Sequence, residues 1–165
     1  MIRVLQLKDC HSLYKAFDAI GWNKPFEIFT EYYQDQIDGK RICFVIEYKS
    51  NIIGYTTLYF DSHYEHFMLP AIPEIYDLNI LPIYQKKGYG TSLIKKCENI
   101  AKKLHFSSVG LGVGLTKDYA NAINLYIKLG YTIDGNGISS NGKILNYNQT
   151  TIADDHLNIY LTKKL

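Results

Sequence analysis

The chain has 165 residues, of which 47% are hydrophobic and 21% charged, and its formal net charge is +2. This is the composition of one ordinary globular domain, here 1–165, able to bury roughly two-thirds of its unfolded surface; it excludes a disordered or collagen-like chain, and so small and scattered a positive charge argues against nucleic acid as a partner. No run approaches the ~20 apolar residues of a membrane span, Arg3, Gln6 and Lys8 interrupt any signal peptide, and Cys10, Cys43 and Cys97 lack C-x-x-C spacing, so the reading is cytoplasmic, without membrane, disulfide framework or metal.

Ile2, Val4, Leu5 and Leu7 suggest a first strand, after which Leu13, Ala16, Phe17 and Ile20 recur at helical spacing up to Gly21. Pro25 to Gly39 offers a second helix, with Phe26, Phe29, Tyr33 and Ile37 on one side. The β-branched and aromatic runs 42–48 and 52–60, separated by Lys49-Ser50-Asn51, read as an antiparallel hairpin. Residues 61–71 show no clear period. Glu74 to Leu81 forms a fourth strand bracketed by prolines. From Gly88 the pattern turns helical, with Leu93, Ile94, Cys97, Ile100, Ala101 and Leu104 on one face and lysines on the other. A fifth strand covers about Ser107 to Leu115. A helix from about Lys117 to Leu129 then exposes Asn121, Asn124 and Lys128 and turns Tyr119, Ala122, Ile123 and Tyr126 inward. A short strand at 131–134, a long connection from Gly135 to Asn148 and an alternating strand through Leu157, Ile159 and Leu161 complete an α/β chain of about seven strands and four helices.

The junction between the fourth strand and its helix, Gln85-Lys86-Lys87-Gly88-Tyr89-Gly90-Thr91, carries the chemistry. The first N–H groups of a helix have no intrahelical partner and the helix dipole adds about half a positive charge there, so a pyrophosphate satisfies donors that otherwise need water. Gly88 and Gly90 let the backbone approach phosphate oxygens, and Lys86 and Lys87 add charge. Spacing alone leaves a plain tight connection equally open.

Gln85 to Gly90 resembles the Q/R-x-x-G-x-G/A signature of the GNAT superfamily of N-acetyltransferases. Ala122-Ile123-Asn124-Leu125-Tyr126-Ile127-Lys128-Leu129-Gly130-Tyr131 is similar to that family's second signature, a helix with A-x-x-L-Y closing on K-L-G-F/Y. Two motifs in order, about 35 residues apart with a strand between them, are more specific than either. The resemblance implies a mixed, mostly antiparallel central sheet whose strands four and five splay apart, with acetyl-CoA as co-substrate. It implies that backbone groups of Leu78, Ile80 and Leu81 meet the pantetheine and those of Gln85 to Thr91 the pyrophosphate. Tyr126 corresponds to the family's helix tyrosine. Tyr119 stands where the family often has a cofactor-binding asparagine, and Asn121 is the candidate replacement. The acceptor, an amine of a small molecule or a peptide, is expected around Trp22 and Asn23, the segment 63–69 and the connection 135–148, in a monomer or homodimer. A domain that only binds or senses acyl-CoA is the alternative.

Acetyl transfer needs an uncharged amine, and a lysine-like amine is neutral in only about one molecule in two thousand at pH 7, worth roughly 4.5 kcal/mol of barrier. Asp77 and Glu74 are the candidate bases. Three residues apart in a regular strand they point to opposite faces, and Asp77 is preferred because it lies among apolar neighbours while Glu74 can be solvated at the strand start. A hydrogen bond to a neighbouring loop is the plain structural alternative for Asp77. Tyr126, a phenol with pKa about 10, is the candidate acid for a departing thiolate, in a transfer only mildly uphill, and an ordinary core tyrosine is its plain structural alternative. Gly137 to Ile144 fits G-x-x-x-x-G-K without the required Ser or Thr and reads as a loop. Gly110, Gly112 and Gly114 mark a strand with a bare face that a helix or the cofactor approaches. His63 and His66 lack metal-site spacing.

Overall fold

The computed structural model describes residues 1–165, which divide into two compact units, Met1–Tyr59 with Tyr76–Cys97 and Phe60–Ile75 with Glu98–Leu165. It contains β1 (Ile2–Val4), α1 (Leu7–Asp18), α2 (Phe26–Ile37), β2 (Arg41–Tyr48), β3 (Asn51–Tyr59), α3 (Glu65–Met68), β4 (Glu74–Ile80) and α4 (Tyr89–Lys103). There follow β5 (Ser108–Gly114), α5 (Ala120–Lys128), β6 (Thr132–Ser140), β7 (Lys143–Ile144) and β8 (Leu157–Lys164). Eight strands and five α-helices thus stand where about seven and four were expected.

In the first unit the strands run in the order β1-β2-β3-β4, with β1 antiparallel to β2 and β2 to β3. The β2–β3 connection is a two-residue turn at Lys49 and Ser50, both left-handed at φ 48° and 64°, which matches the twist of the hairpin. The first strand is shorter than its apolar run because α1 begins at Leu7. Asp9 starts that helix by accepting the Gln6 N–H at 2.8 Å, and its carboxylate also holds the Arg3 guanidinium, which reaches Glu47 as well. Cys10, Leu13 and Phe17 of α1 meet Phe29 and Tyr32 of α2 and Cys43, Val45 and Tyr55 of the sheet in one core. Phe17 and Phe29 are wholly buried, and each such ring contributes on the order of 1.5–3 kcal/mol.

The second unit begins with the short helix α3, inside the stretch where no period was visible; four residues are too few to show one. Glu74 at the start of β4 pairs in parallel with Gly110. Beyond it β5 pairs antiparallel with β8, β8 with β6 and β6 with β7. The expected connection from Gly135 is strand as far as Ser140 and then a tight return to β7. The pairing of β6 with β8 is irregular between Ile133 and Ile138, where Gly135 and Gly137 sit at φ 85° and 100°. The polar, glycine-rich D-G-N-G run masks the strand. Aromatic rings fill the bare face of β5: a Cβ would stand 2.2 Å from the Phe67 ring at Gly110, 2.9 Å from Tyr160 at Gly112 and 2.5 Å from Tyr119 at Gly114. Those glycines are required by close approach, with the rings of α3, β8 and the turn before α5 taking the space. No helix is long and apolar enough to cross a membrane.

Candidate active site

After β4, a single 3-10 turn at Pro82–Tyr84 brings the chain to Gln85. The Gln85 side-chain amide donates to the Ile80 carbonyl at 2.9 Å, tying the loop to the strand it leaves. Lys86 and Gly88 both have left-handed backbones, at φ 58° and 84°. The first N–H inside α4 to find a carbonyl is that of Ser92, on Gly88 at 3.0 Å. The N–H groups from Lys86 to Thr91 therefore stand as a run of six donors with no carbonyl partner. A Cβ on Gly88 would meet nothing within 4 Å, whereas one on Gly90 would lie 3.9 Å from Leu78 and 4.0 Å from Ile80. Gly88 thus opens the outer side of the loop, and a side chain at position 90 would face Leu78 and Ile80 of β4. Of the strand residues expected to meet the pantetheine, Leu81 has both backbone groups engaged, its N–H on Ile53 and its carbonyl under Tyr84. Ile80 offers a carbonyl already bonded to Gln85, and Leu78 lies half-buried on the strand.

Asp77 sits inside β4 with φ 53°, a left-handed backbone that Asp tolerates better than most residues. It breaks the two-residue alternation, so the opposite-face argument for Glu74 and Asp77 does not carry through it. Its Oδ1 accepts Lys24 Nζ at 2.7 Å and Asn79 Nδ2 at 2.6 Å, and its Oδ2 accepts the hydroxyls of Tyr32 at 2.9 Å and Tyr55 at 2.6 Å. Burial first, and the Asp77 charge second, push both phenols above their ordinary range, so both remain donors. The expected environments of the two carboxylates are reversed. Asp77 lies in a polar cluster with its side chain 15% exposed, whereas Glu74 is 4% exposed and accepts the Ser62 hydroxyl. The strand start is covered, and the left-handed bend turns Asp77 to the segment between α1 and α2. Trp22, in that segment, stacks on Phe17 with centroids 5.5 Å apart, and Asn23 lines a cleft of about 390 Å³. Periodicity could not reveal Lys24, Tyr32, Tyr55 and Asn79, since tyrosines at core positions look apolar; the one signal was a carboxylate within an apolar strand.

In the second unit Tyr126 is buried on α5, edge-on to Tyr131 at 6.2 Å. Burial pushes its pKa up to about 12, which corrects the expectation of an ordinary phenol. Asn121 is exposed on the outer face of α5 with Asn124 and Lys128. Tyr119 precedes the helix in a 3-10 turn, its ring over Gly114 and its hydroxyl donating to Asp155 at 2.8 Å. Tyr119 is therefore committed to structure.

The sequence pattern of the acetyltransferase (GNAT) family matches residues 7–131, three-quarters of the chain. The chain belongs to this family. It is an acyltransferase, and its reaction is acetyl transfer from acetyl-CoA. No curated protein sequence matches the chain. Among solved structures the GNAT chain is similar to a ribosomal-protein-alanine N-acetyltransferase from Brucella melitensis, with TM-score 0.74, 14% identity and coverage of 100% of this chain and 99% of that one. The PaiA N-acetyltransferase from Thermoplasma acidophilum, solved with coenzyme A, gives 0.66 and 16% over 100% and 98%. A GNAT family acetyltransferase from Elizabethkingia anophelis with acetyl-CoA bound gives 0.63 and 20% over 100% and 97%.

The residues of this GNAT chain fit a pyrophosphate on an observation of their own. The donors from Lys86 to Thr91 lack carbonyls, Gly88 leaves the space beside them clear, and Lys86 and Lys87 flank them on an exposed loop.

Proposed function

We propose that this acetyltransferase acts on an amine, of a small molecule or of a peptide, by direct attack in a ternary complex, and that residues 1–165 work as one cytoplasmic GNAT domain. The amine acceptor is supported by the name of the Brucella relative, a protein N-acetyltransferase. The observation that carries the reading is the run of unpaired N–H groups at the start of α4. Residues Gln85 to Thr91 hold the pyrophosphate there, and Leu78, with the remaining carbonyl capacity of Ile80, lines the pantetheine path. Acetyl-CoA supplies the activated acetyl group as a thioester.

Asp77 orients the incoming amine and receives its proton once Lys24 has moved aside, and Trp22 and Asn23 stand on the acceptor side. Tyr126 holds the proton destined for the departing sulfur. With its pKa pushed up to about 12, donation to a thiolate whose conjugate acid lies near 8.5 is uphill by about 5 kcal/mol. Tyr126 therefore acts where the thiolate is itself desolvated and more basic, and it contributes as a hydrogen-bond donor before it contributes as an acid. The experiment is a thiol-release assay over a panel of amines, paired with thermal unfolding in acetyl-CoA. Acetyl-CoA raises the melting temperature by mass action, by about 2.7 kcal/mol of stability at a hundred times its Kd, and at least one amine class releases thiol. Absence of any shift at millimolar acetyl-CoA removes the loop assignment.

A further inference from the structure

The cluster around Asp77 already contains an ammonium, and it belongs to the chain. We propose that Asp77, Tyr55 and Tyr32 form an alkylammonium subsite for the acceptor, which Lys24 occupies until the acceptor's own ammonium displaces it. The proposal rests on the reading above, in which Asp77 and the segment around Trp22 and Asn23 face the acceptor.

Lys24 Nζ lies 2.7 Å from Asp77 Oδ1 and 5.8 Å over the centroid of the Tyr55 ring. A carboxylate backed by an aromatic face is the chemistry that selects an ammonium over a neutral group. The rest of the cluster prepares that oxygen for a cation. Tyr32 and Tyr55 occupy Oδ2, so the negative charge left for a ligand is on Oδ1, which Lys24 shares with the Asn79 amide. Tyr55 is wedged edge-on against Phe17 and Phe29, both at 5.4 Å, which fixes the ring that the ammonium covers.

Lys24 is held by its backbone N–H on the Trp22 carbonyl at 2.8 Å and by its pairing with Asp77. It lies in the irregular segment between α1 and α2, and its side chain is 21% exposed. A lysine on a flexible four-carbon stem, paired at a partly exposed site, is held weakly enough to exchange. Lys24 also lines the cleft of about 390 Å³ shared with Tyr14, Asp18, Phe26 and Glu27. That cleft has two carboxylates and two aromatic rings, so it suits the remainder of an acceptor that carries a second positive charge. An acceptor competing with Lys24 loses affinity in proportion to the time the lysine is seated, and removing the lysine restores it.

The test is calorimetric titration of 1,4-diaminobutane, and in parallel a tetrapeptide with one lysine, into the wild type, Lys24→Met and Lys24→Met/Asp77→Asn. Asparagine keeps the left-handed backbone at position 77, and Lys24→Gln replaces Lys24→Met should the latter fail to fold. Lys24→Met binds the probe about tenfold more tightly than the wild type, and adding Asp77→Asn abolishes the gain. Acetyl-CoA affinity is the same in all three proteins. The probe that tightens identifies whether a small amine or a peptide brings the ammonium. Equal or weaker binding of both probes by Lys24→Met, or no binding by any of the proteins, overturns the subsite and leaves the acetyltransferase reading intact if acetyl-CoA still binds. Failure of acetyl-CoA to bind the wild type overturns the loop assignment instead.

Discussion

Tyr126 is a phenol whose ring is buried and whose pKa burial raises, and this sharpens what its hydroxyl can be doing. A core tyrosine usually spends its hydroxyl on a hydrogen bond, because an unpaired buried polar group costs about 1–3 kcal/mol. The Tyr126 hydroxyl is not among the buried polar atoms left unpaired, so its removal relieves no such cost, and the second family motif places a tyrosine at this position. Tyr126→Phe therefore keeps the ring packing against Tyr131, leaves the melting temperature nearly unchanged, and lowers single-turnover acetyl transfer by about 10²-fold. Wild-type turnover with chemistry shown to be rate-limiting would make Tyr126 a core residue only. Asp77 teaches the converse lesson. A carboxylate among apolar residues in the sequence marked Asp77 as a candidate, but its partners come from positions 24, 32, 55 and 79, which no local pattern connects.

At the scale of elements, the turn from β4 into α4 carries two glycines in different settings. Gly88 is needed for its φ of 84°, whereas a Cβ on Gly90 would make only ordinary contact with Leu78 and Ile80 in the first helical turn. Gly88→Ala meets no atom but forces a side chain into the left-handed region, which costs roughly 1–2 kcal/mol and places a methyl group on the open side of the loop. The outcome is a lower melting temperature and weaker acetyl-CoA binding. Gly90→Val leaves the fold largely intact, since its Cβ has room, and weakens acetyl-CoA by pressing on β4 beside the pantetheine path. Melting curves and cofactor titrations of the two variants check this; unchanged affinity in both would mean that the loop does not hold the pyrophosphate. The helices α4 and α5 were legible because their apolar stripes run over several turns, with Leu93, Ile94, Cys97 and Ala101 buried as the spacing requires. Strand β6 was not, because its glycines and polar residues obscure an alternation that only its pairing with β8 maintains.

For the molecule as a whole, buried acidic hydrogens set the alkaline limit of stability. Burial pushes Cys43 and Tyr126 up to about 12, and Tyr32 and Tyr55 further, so the folded chain holds these protons more tightly than the unfolded one. A raised folded value means that the associated stability is complete below the unfolded pKa, about 9 for the thiol and 10 for the phenols, and is lost as pH climbs through the folded value. Urea unfolding followed from pH 8 to 12 should show a falling free energy above about pH 9, with these tyrosines ionising only as the chain unfolds, read at 295 nm. Constant stability to pH 12 would contradict the burial of those groups. At acid pH the weight shifts to Asp9. Burial raises its pKa, but the Arg3 guanidinium and the Gln6 N–H outweigh that and hold it below the usual range.

What the sequence determined by itself is the part of this protein carried by neighbours along the chain. A strand running into a glycine turn and an amphipathic helix, followed at a fixed distance by A-x-x-L-Y and K-L-G-Y, is local information, and it sufficed for the family and the reaction and singled out the loop proposed to meet the pyrophosphate. What the tertiary structure decided is everything that depends on residues distant in sequence. The aromatic rings packed on Gly110, Gly112 and Gly114, the reversed environments of Glu74 and Asp77, the burial of Tyr126 and the Lys24 ammonium on Asp77 are of this kind. Burial and hydrogen-bond pairing set the chemistry of such groups, and both are properties of which segments the fold brings together, not of the order in which residues occur.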